Sequence, residues 1–332
     1  MYNINGLQFQ KLTRISLSSF VSSLLLILMI LTIPLLNNVI ASKDIFGIEK
    51  IYPTKKGGEE WYMDMISPLL DNRFDPYNLL AMEDRNSQEP ELFKIIPNKD
   101  NSWKMVPLTD YTSIRMNVLT DNGYDHNKIE TFDHSKLAEK EYMQSQLDWK
   151  NIEMTGYIKL NKFDIDKENG EFQWYNRGGL HDDIECEGVG YKGNLFFDGK
   201  TRFAKEQWHV SYDFVDKKDG SEEDLEGKWI GYKYIVYNRE DKKSNQTFVR
   251  MENLIDDNDG GGSNLGQSNW KKVYEYIDNG DWGKEGKKCG GKKDQIITWG
   301  GPIATFRWDD ATDVDFKFLS VREIDPLKDI SR

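Results

Sequence analysis

Short segments in which apolar and polar residues alternate recur along this chain, and they constrain its fold more than any other feature. One segment, residues 152–160, would place its large apolar side chains on one side of a strand: Ile152, Met154, Ile158 and Leu160. Similar segments follow at intervals of about 8–20 residues, separated by Gly, Asp and Asn turns. This spacing predicts an all-β fold, an antiparallel β-sandwich or jelly roll.

The expected strands are distributed along the chain from residue 61 onward. They are 61–66, 111–120, 152–160, 171–177, 194–197, 202–212, 228–238, 246–255, 270–278, 295–298 and 313–324. One helix is expected within 126–146, with Asp133 as its N-cap. We therefore expect a single β-sandwich domain over residues 45–326.

Residues 1–41 have the pattern of an export segment. Lys11 and Arg14 precede an apolar run that continues to Leu36. The run also reaches the length of about 20 residues that spans a bilayer. Two alternatives stay open, a cleaved signal peptide and an uncleaved N-terminal membrane anchor. Both predict a secreted or extracellular-surface protein, and only the second predicts contact with a membrane.

Composition narrows the class of partner. The 332-residue chain has a formal net charge of −12, which argues against a general nucleic-acid binder because phosphate contacts need a concentrated basic face. Aromatic residues make up 13% of the chain, which favours strands and surfaces that stack on sugar rings.

The two cysteines, Cys186 and Cys289, are expected to form one disulfide in an oxidising compartment. Two separate buried thiols are the alternative. Residues 256–264 are similar to a calcium-binding loop, but Gly260 and Gln267 stand where ligands would be needed. We therefore expect no cofactor or metal site, with a structural calcium ion as the alternative.

Chemically active side chains concentrate in residues 173–212. A strand there would place Lys205, Gln207 and His209 on one face. Upstream, Tyr175 and Arg177 share a face, and the following Gly178-Gly179 pair lets the backbone bend or approach a ligand. The pattern predicts a cationic, hydrogen-bonding patch on a sheet.

Three segments of the second half, 227–238, 249–256 and 311–324, resemble strands of the concanavalin A-like jelly-roll superfamily of lectins, glucanases and polysaccharide lyases. The Glu-x-Asp-x-x-Glu triplet of family 16 glucanases is absent, which disfavours retaining hydrolysis. The Gln207-Trp208-His209 triplet is similar to the Gln-apolar-His of family 7 alginate lyases. Their second signature is absent, and residues 191–197 imitate it only loosely.

Two functions follow, with a structural cell-surface protein as a third. A lectin-like protein would bind an extracellular polysaccharide by stacking and hydrogen bonding. A lyase would cleave uronic-acid polymers by β-elimination, which needs a base, an acid and groups that neutralise the carboxylate. The candidate catalytic residues are His209 as base, Gln207 and Arg177 at the carboxylate, and Tyr191 as acid. The candidate substrate-binding residues are Tyr175, Lys205, Trp229, Lys233 and Tyr237.

Overall fold

The fold is taken from a computed structural model of the chain. It describes residues 42–78, 93–108, 113–129, 132–180, 186–207, 211–221, 224–241, 244–257 and 269–326. The export segment, most of the calcium-like loop and His209 lie outside these ranges, so the predictions made for them stay predictions. Within the described ranges, no helix combines the length and apolar character needed to cross a bilayer.

The described residues fold into two antiparallel sheets. The strands are β1 Glu60–Tyr62, β2 Phe74–Asn78, β3 Phe93–Pro97, β4 Trp103–Pro107, β5 Ser113–Leu119, β6 Ile152–Phe163, β7 Glu171–Gly178, β8 Gly190–Phe196, β9 Lys200–Gln207, β10 Ser211–Phe214, β11 Lys218–Asp219, β12 Trp229–Asp241, β13 Gln246–Asp256, β14 Lys271–Asp278, β15 Ile303–Asp309 and β16 Ala311–Glu323. One α-helix, α1, covers His134–Lys140.

The first sheet has the order β14-β13-β12-β6-β16-β4-β3, with β1 also paired to β16. The second sheet has the order β10-β9-β8-β7-β15-β5-β2, with β11 also paired to β9. One large apolar core contains residues from both sheets, such as Tyr232 of β12 against Trp174 of β7. The predicted all-β antiparallel sandwich is confirmed.

Alternation along the strands positions the core. In β6 the four apolar residues named above are buried in the core, whereas Glu153 and Thr155 of the same strand bond to Lys233 on the opposite side of the sheet. In β7, Phe172 and Trp174 are core residues while Gln173 and Tyr175 point the other way. Each sheet therefore has one face toward the core and one outer face.

Three secondary-structure predictions need correction. Residues 202–212 are two strands of a hairpin, because Gln207 of β9 pairs with Ser211 of β10. The predicted helix shrinks to α1, which Asp133 caps as expected and which ends at Glu141 in a left-handed conformation. Residues 295–298 form no strand, since the amide and carbonyl of Ile297 bond to side chains instead of a neighbouring strand. The central strand β15 was missed.

A segment before β1, residues 42–58, packs on the outer face of the first sheet. We call it the strap, and we call the sheet face beneath it the covered face. The Ile51 amide donates to Glu153 Oε2 at 3.1 Å, and Tyr52 Oη donates to Glu252 Oε1 at 3.0 Å. Ile51 and Tyr52 also pack on a small apolar cluster of this face.

The disulfide between Cys186 and Cys289 is present, as predicted, with the two Cα atoms 5.6 Å apart. It joins the residues before β8 to the long connection between β14 of the first sheet and β15 of the second. The two cysteines are 103 residues apart in sequence, and the chain-entropy model gives such a loop up to about 4.7 kcal/mol of stabilisation.

Candidate functional site

The structure separates the predicted site residues into three groups. Arg177, Tyr191, Lys205 and Gln207 lie inside the sandwich; Trp229, Lys233 and Tyr237 lie on the covered face of the first sheet; Tyr175 lies on the outer face of the second sheet. The sequence patch is therefore not one surface, although its four interior members do come together.

Two members of the interior group, Tyr191 and Lys205, contact the buried carboxylate of Asp278 at the end of β14. Asp278 Oδ2 accepts hydrogen bonds from Tyr191 Oη at 2.5 Å and from Lys205 Nζ at 2.7 Å. Burial lowers the pKa of Lys205 although the Asp278 charge opposes it, and burial raises the pKa of Tyr191. Lys205 also donates to the Trp282 carbonyl at 2.7 Å. This ion pair satisfies Lys205 within the protein.

Arg177 is likewise held by the chain itself. Its Nη1 donates to the Ile297 carbonyl at 2.6 Å and its Nε to the Lys150 carbonyl at 3.1 Å. Burial lowers its pKa to about 10. The following Gly178 comes close to the Val189 carbonyl of the chain, rather than to a ligand, and a β-carbon there would collide with it. The contacts of Arg177 and Gly178 with backbone carbonyls therefore stabilise the fold.

Two of the covered-face residues also have partners within the protein. Lys233 Nζ bonds to Glu153 Oε1 at 2.6 Å, and Arg322 Nη2 bonds to Glu153 Oε2 at the same distance. Tyr237 Oη lies 3.2 Å from Tyr52 Oη of the strap. Trp229 is half-buried and packs against the Lys317 ammonium. The sequence named these side chains as candidates but could not show that the strap lies over the face that carries them.

The third location is the outer face of the second sheet, which we call the polar face. Its members come from β2, β5, β15, β7, β8, β9 and β10: Asp75, Ser113, Arg115, Asn117, Thr305, Arg307, Asp309, Glu171, Gln173, Tyr175, Lys192, Asn194, Arg202, Glu206, Tyr212 and Phe214. Strand register aligns them in rows across the sheet. One row runs from Asn117 through Thr305 and Tyr175 to Lys192.

Tyr175 lies at the centre of this face, between two cations. Arg115 Nε donates to Tyr175 Oη at 3.2 Å, and Lys192 Nζ lies 4.9 Å from the Tyr175 ring centroid. Lys192 also lies 5.4 Å from the Tyr212 ring and forms an ion pair with Glu206 at 2.5 Å. Tyr212 Oη donates to Glu206. A continuous chain of contacts therefore links Arg115 to the edge strand β10.

A second part of the face is acidic. Gln173 Nε2 donates to Glu171 Oε1 at 2.7 Å and to Asp309 Oδ2 at 3.1 Å, so it bridges two carboxylates. Burial raises the pKa of Glu171. Burial would also raise the pKa of Asp309, but the guanidinium of Arg307 at 2.5 Å outweighs it and lowers the pKa. Both carboxylates are thus fixed by neighbouring donors.

The edge of the polar face is aromatic and exposed. Tyr212 is 40% exposed and Phe214 is 51% exposed, and they lie two residues apart on β10. They are the aromatic members among the large exposed hydrophobic side chains of the described residues. The Arg202 guanidinium lies 4.0 Å from the Phe214 ring centroid and steadies that ring. An aromatic surface next to fixed hydrogen-bonding groups can bind a polar ligand that has apolar faces.

Other concave or ligating features are weaker. A surface cleft of about 610 Å³ lies between residues 246–247 and 279–298; its described lining is polar and lacks an aromatic side chain. Among the residues that the structure describes, no group of three or more His, Cys, Asp and Glu side chains could hold a metal ion. The chemistry of the polar face is therefore hydrogen bonding, charge and stacking.

Sequence reasoning missed most of this face. Arg115 and Asn117 lie within the predicted strand 111–120, and Tyr212 lies at the end of the predicted strand 202–212, but none of them was among the candidate site residues. The sequence pattern that could have revealed this face is the alternation in β15, where Thr305, Arg307 and Asp309 alternate with apolar residues.

Neither a family model nor a curated protein sequence matches this chain. Similar solved structures include the VIP36 exoplasmic/lumenal domain in its Ca²⁺- and Man3GlcNAc-bound form, with 9% identity, a TM-score of 0.42 and coverage of 78% of this chain and 85% of that one. The winged bean acidic lectin with methyl-α-D-galactose has 7% identity, a TM-score of 0.38 and coverage of 79% and 97%.

A β-glucanase from Bacillus licheniformis has 9% identity, a TM-score of 0.37 and coverage of 82% of this chain and 100% of that one. Two of these structures are named as a lectin and a β-glucanase. At such identities and TM-scores, the likeness concerns the general arrangement of strands, and the function has to be argued from the polar face.

Proposed function

We propose that this protein binds an extracellular polysaccharide on the polar face of its second sheet. The observation that carries the proposal is the pair of exposed rings, Tyr212 and Phe214, beside a floor of buried hydrogen-bonding side chains. A sugar ring offers an apolar C–H face for stacking and hydroxyls for hydrogen bonds. The polar face offers both kinds of partner within one sheet.

The floor is rigid because its members hold one another. Lys192, Glu206 and Tyr212 form one bonded chain, and Gln173 joins two carboxylates. Side chains fixed in this way lose little conformational entropy when a ligand binds, which favours affinity. Such a site would be lectin-like, and among the described candidate residues it shares only Tyr175 with the sequence patch.

We extend the proposal to location outside the cytoplasm, by a signal peptide or an N-terminal anchor. The disulfide supports this, since such bonds persist in oxidising compartments. N-terminal sequencing of the exported material would distinguish the two forms, and a soluble cytoplasmic chain that still begins at Met1 would contradict both.

The test is titration calorimetry of the exported chain, with its disulfide intact, against a panel of neutral and acidic soluble polysaccharides. We expect binding to at least one polymer. The Tyr212→Ala, Phe214→Ala double variant should weaken that binding by roughly tenfold or more, the usual effect of removing aromatic contacts from the centre of an interface. Absorbance of an unsaturated uronate product during the titration would instead indicate the lyase alternative.

A matched control exists on the other sheet. Ile277 is 39% exposed on β14, the edge strand of the first sheet, as β10 is of the second. The Ile277→Ala variant removes exposed apolar area from the edge of the first sheet, away from the polar face, and should bind polysaccharide as the wild type does. Equal loss in both variants, or no binding across the whole panel, would overturn the proposal.

A further inference from the structure

Resting on the proposed carbohydrate-binding function, we infer that the polar face selects acidic saccharides and that Arg115 binds their carboxylate. The inference starts from the charge partners of the arginines on this face. Arg307 chelates Asp309, and Arg202 Nη2 lies 3.7 Å from Glu171 Oε2. The guanidinium of Arg115 forms no ion pair of 4.0 Å or less among the described residues; it reaches Asp309 only through the hydroxyl of Ser113, which accepts from Arg115 and donates to Asp309.

Arg115 is nevertheless buried. Arg115 is 1% exposed. It donates two hydrogen bonds to neutral hydroxyls, to Tyr175 Oη at 3.2 Å and to Ser113 Oγ at 3.3 Å. The charge of Arg115 helps to lower the pKa of Asp309, but Arg307 already chelates that carboxylate, so one carboxylate serves two guanidinium groups. Burial of a cation that is only partly neutralised is costly for the folded protein. A carboxylate supplied by a ligand offsets this cost, and the planar guanidinium matches the geometry of a carboxylate.

A second donor lies beside it. Asn117 follows Arg115 on the same face of β5 and is also 1% exposed. Its Oδ1 accepts a hydrogen bond from Thr305 Oγ1 at 2.8 Å, whereas its Nδ2 has no hydrogen-bond partner among the described residues. The hydroxyl of Thr305 thus fixes the amide with its N–H₂ group available for an acceptor. Arg115 and Asn117 together form the donor pair for an acidic group.

The position of the pair also fits a saccharide chain. Contacts run from Arg115 through Tyr175 and Lys192 to the exposed ring of Tyr212. One sugar unit can stack at the β10 edge while the carboxylate of another unit reaches β5, which is five strands from β10 in the sheet order. The ligand class is therefore a polymer of uronic acid units rather than a single neutral sugar.

The experiment uses three uronate polymers, polygalacturonate, alginate and hyaluronan, each with its carboxyl-reduced form as a neutral counterpart of the same length. Wild-type protein should bind at least one acid form roughly tenfold or more tighter than its reduced form, as expected for loss of a charge-assisted hydrogen-bond pair. The Arg115→Gln variant should lose this preference while it still binds the reduced form.

Arg250→Gln is the matched control. Arg250 lies on the first sheet, where Glu252 and Glu275 neutralise it, so its loss changes the net charge equally without touching the polar face. Circular dichroism establishes that each variant is folded, and Arg115→Lys supplies a charged variant that lacks the planar fork. Should Arg115→Gln fail to fold, the wild-type comparison of acid and reduced polymers still decides.

Equal binding of acid and reduced polymers by wild type would overturn the inference and leave carbohydrate binding intact. A preference that survives in folded Arg115→Gln, or that disappears in Arg250→Gln, would overturn the role of Arg115. Absence of binding to every polymer, in either form, would overturn both the inference and the proposed function.

Discussion

The outer faces of the two sheets are both rich in charged and aromatic residues, but they differ in what covers them and in the partners of their buried charges. On the first sheet, the strap lies over the face, and Glu153 joins Lys233, Arg322 and the Ile51 amide in one network. On the second sheet, the direct hydrogen bonds of the buried Arg115 go only to neutral hydroxyls among the described residues, and the edge presents two exposed aromatic rings.

The difference teaches how to separate structural from functional polar groups in a sandwich of this kind. A buried charge whose partners all come from the protein is explained by the fold. A buried guanidinium that bonds only to neutral hydroxyls costs stability, and such costs are expected where a ligand binds. Residue type alone does not distinguish the two faces.

The largest expected effect is on the covered face. The Glu153→Gln variant leaves Lys233 and Arg322 buried without their shared carboxylate and should lower the free energy of unfolding by about 3–5 kcal/mol. Denaturant unfolding measures this change. The control is Lys50→Gln, which breaks a partly exposed pair with Glu60 and should cost less than about 1 kcal/mol. Similar effects in both variants would erase the proposed distinction.

The pH dependence of the free energy of unfolding tests the same difference between the two faces. Burial alone would raise the pKa of Glu153, but Arg322 and Lys233 together lower it from 4.5 to about 2. Because the folded pKa lies below the unfolded one, this stabilisation is complete above pH 4.5 and disappears as the pH falls toward 2. The wild type should lose about 3 kcal/mol over this range through Glu153.

Burial has the opposite outcome at Glu171 on the polar face, where the pKa is raised. Protonation of Glu171 at low pH therefore relieves a cost of the folded state and does not add to acid unfolding. Unfolding of wild type, Glu153→Gln and Glu171→Gln at several pH values checks both signs. The acid-dependent loss should be reduced in Glu153→Gln and retained in Glu171→Gln.

The smallest effect on stability is expected from the polar face itself. The Asn117→Leu, Thr305→Val double variant removes both partners of one buried hydrogen bond together with an unpaired N–H group, so the free energy of unfolding should change by less than about 1 kcal/mol or rise. Binding to acidic polymers should nevertheless weaken. Thermal unfolding and calorimetry measure the two quantities on the same sample. A large loss of stability would show that this pair serves the fold.

Much of the fold was predictable because it follows from local pattern. The apolar residues of β6 repeat at every second position, and this alternation gave the strand and its inward side correctly. The N-cap at Asp133 and the Cys186–Cys289 bridge also followed from residue type and count. Each of these depends on a few neighbouring residues or on an even number of cysteines.

The candidate site was less predictable, for a physical reason visible at β9. Alternation correctly put Lys205 and Gln207 on one side and Glu206 on the other, but both sides contain charged residues. Phe203 packs in the core, so Lys205 and Gln207 turn inward with it, toward the carboxylate of Asp278 from a distant strand. Sequence alternation could not choose between the two sides without that partner.

The sequence by itself determined the class of fold, the strand periodicity and the disulfide, since these depend on local pattern and on residue identity. Only the tertiary structure decided which polar face the strap covers and which one places Arg115 beside Tyr175. The reason is that strand order is set by contacts between segments far apart in the chain, such as β5 with β15 and β15 with β7. Those pairings bring the polar face together from residues that no short stretch of sequence contains.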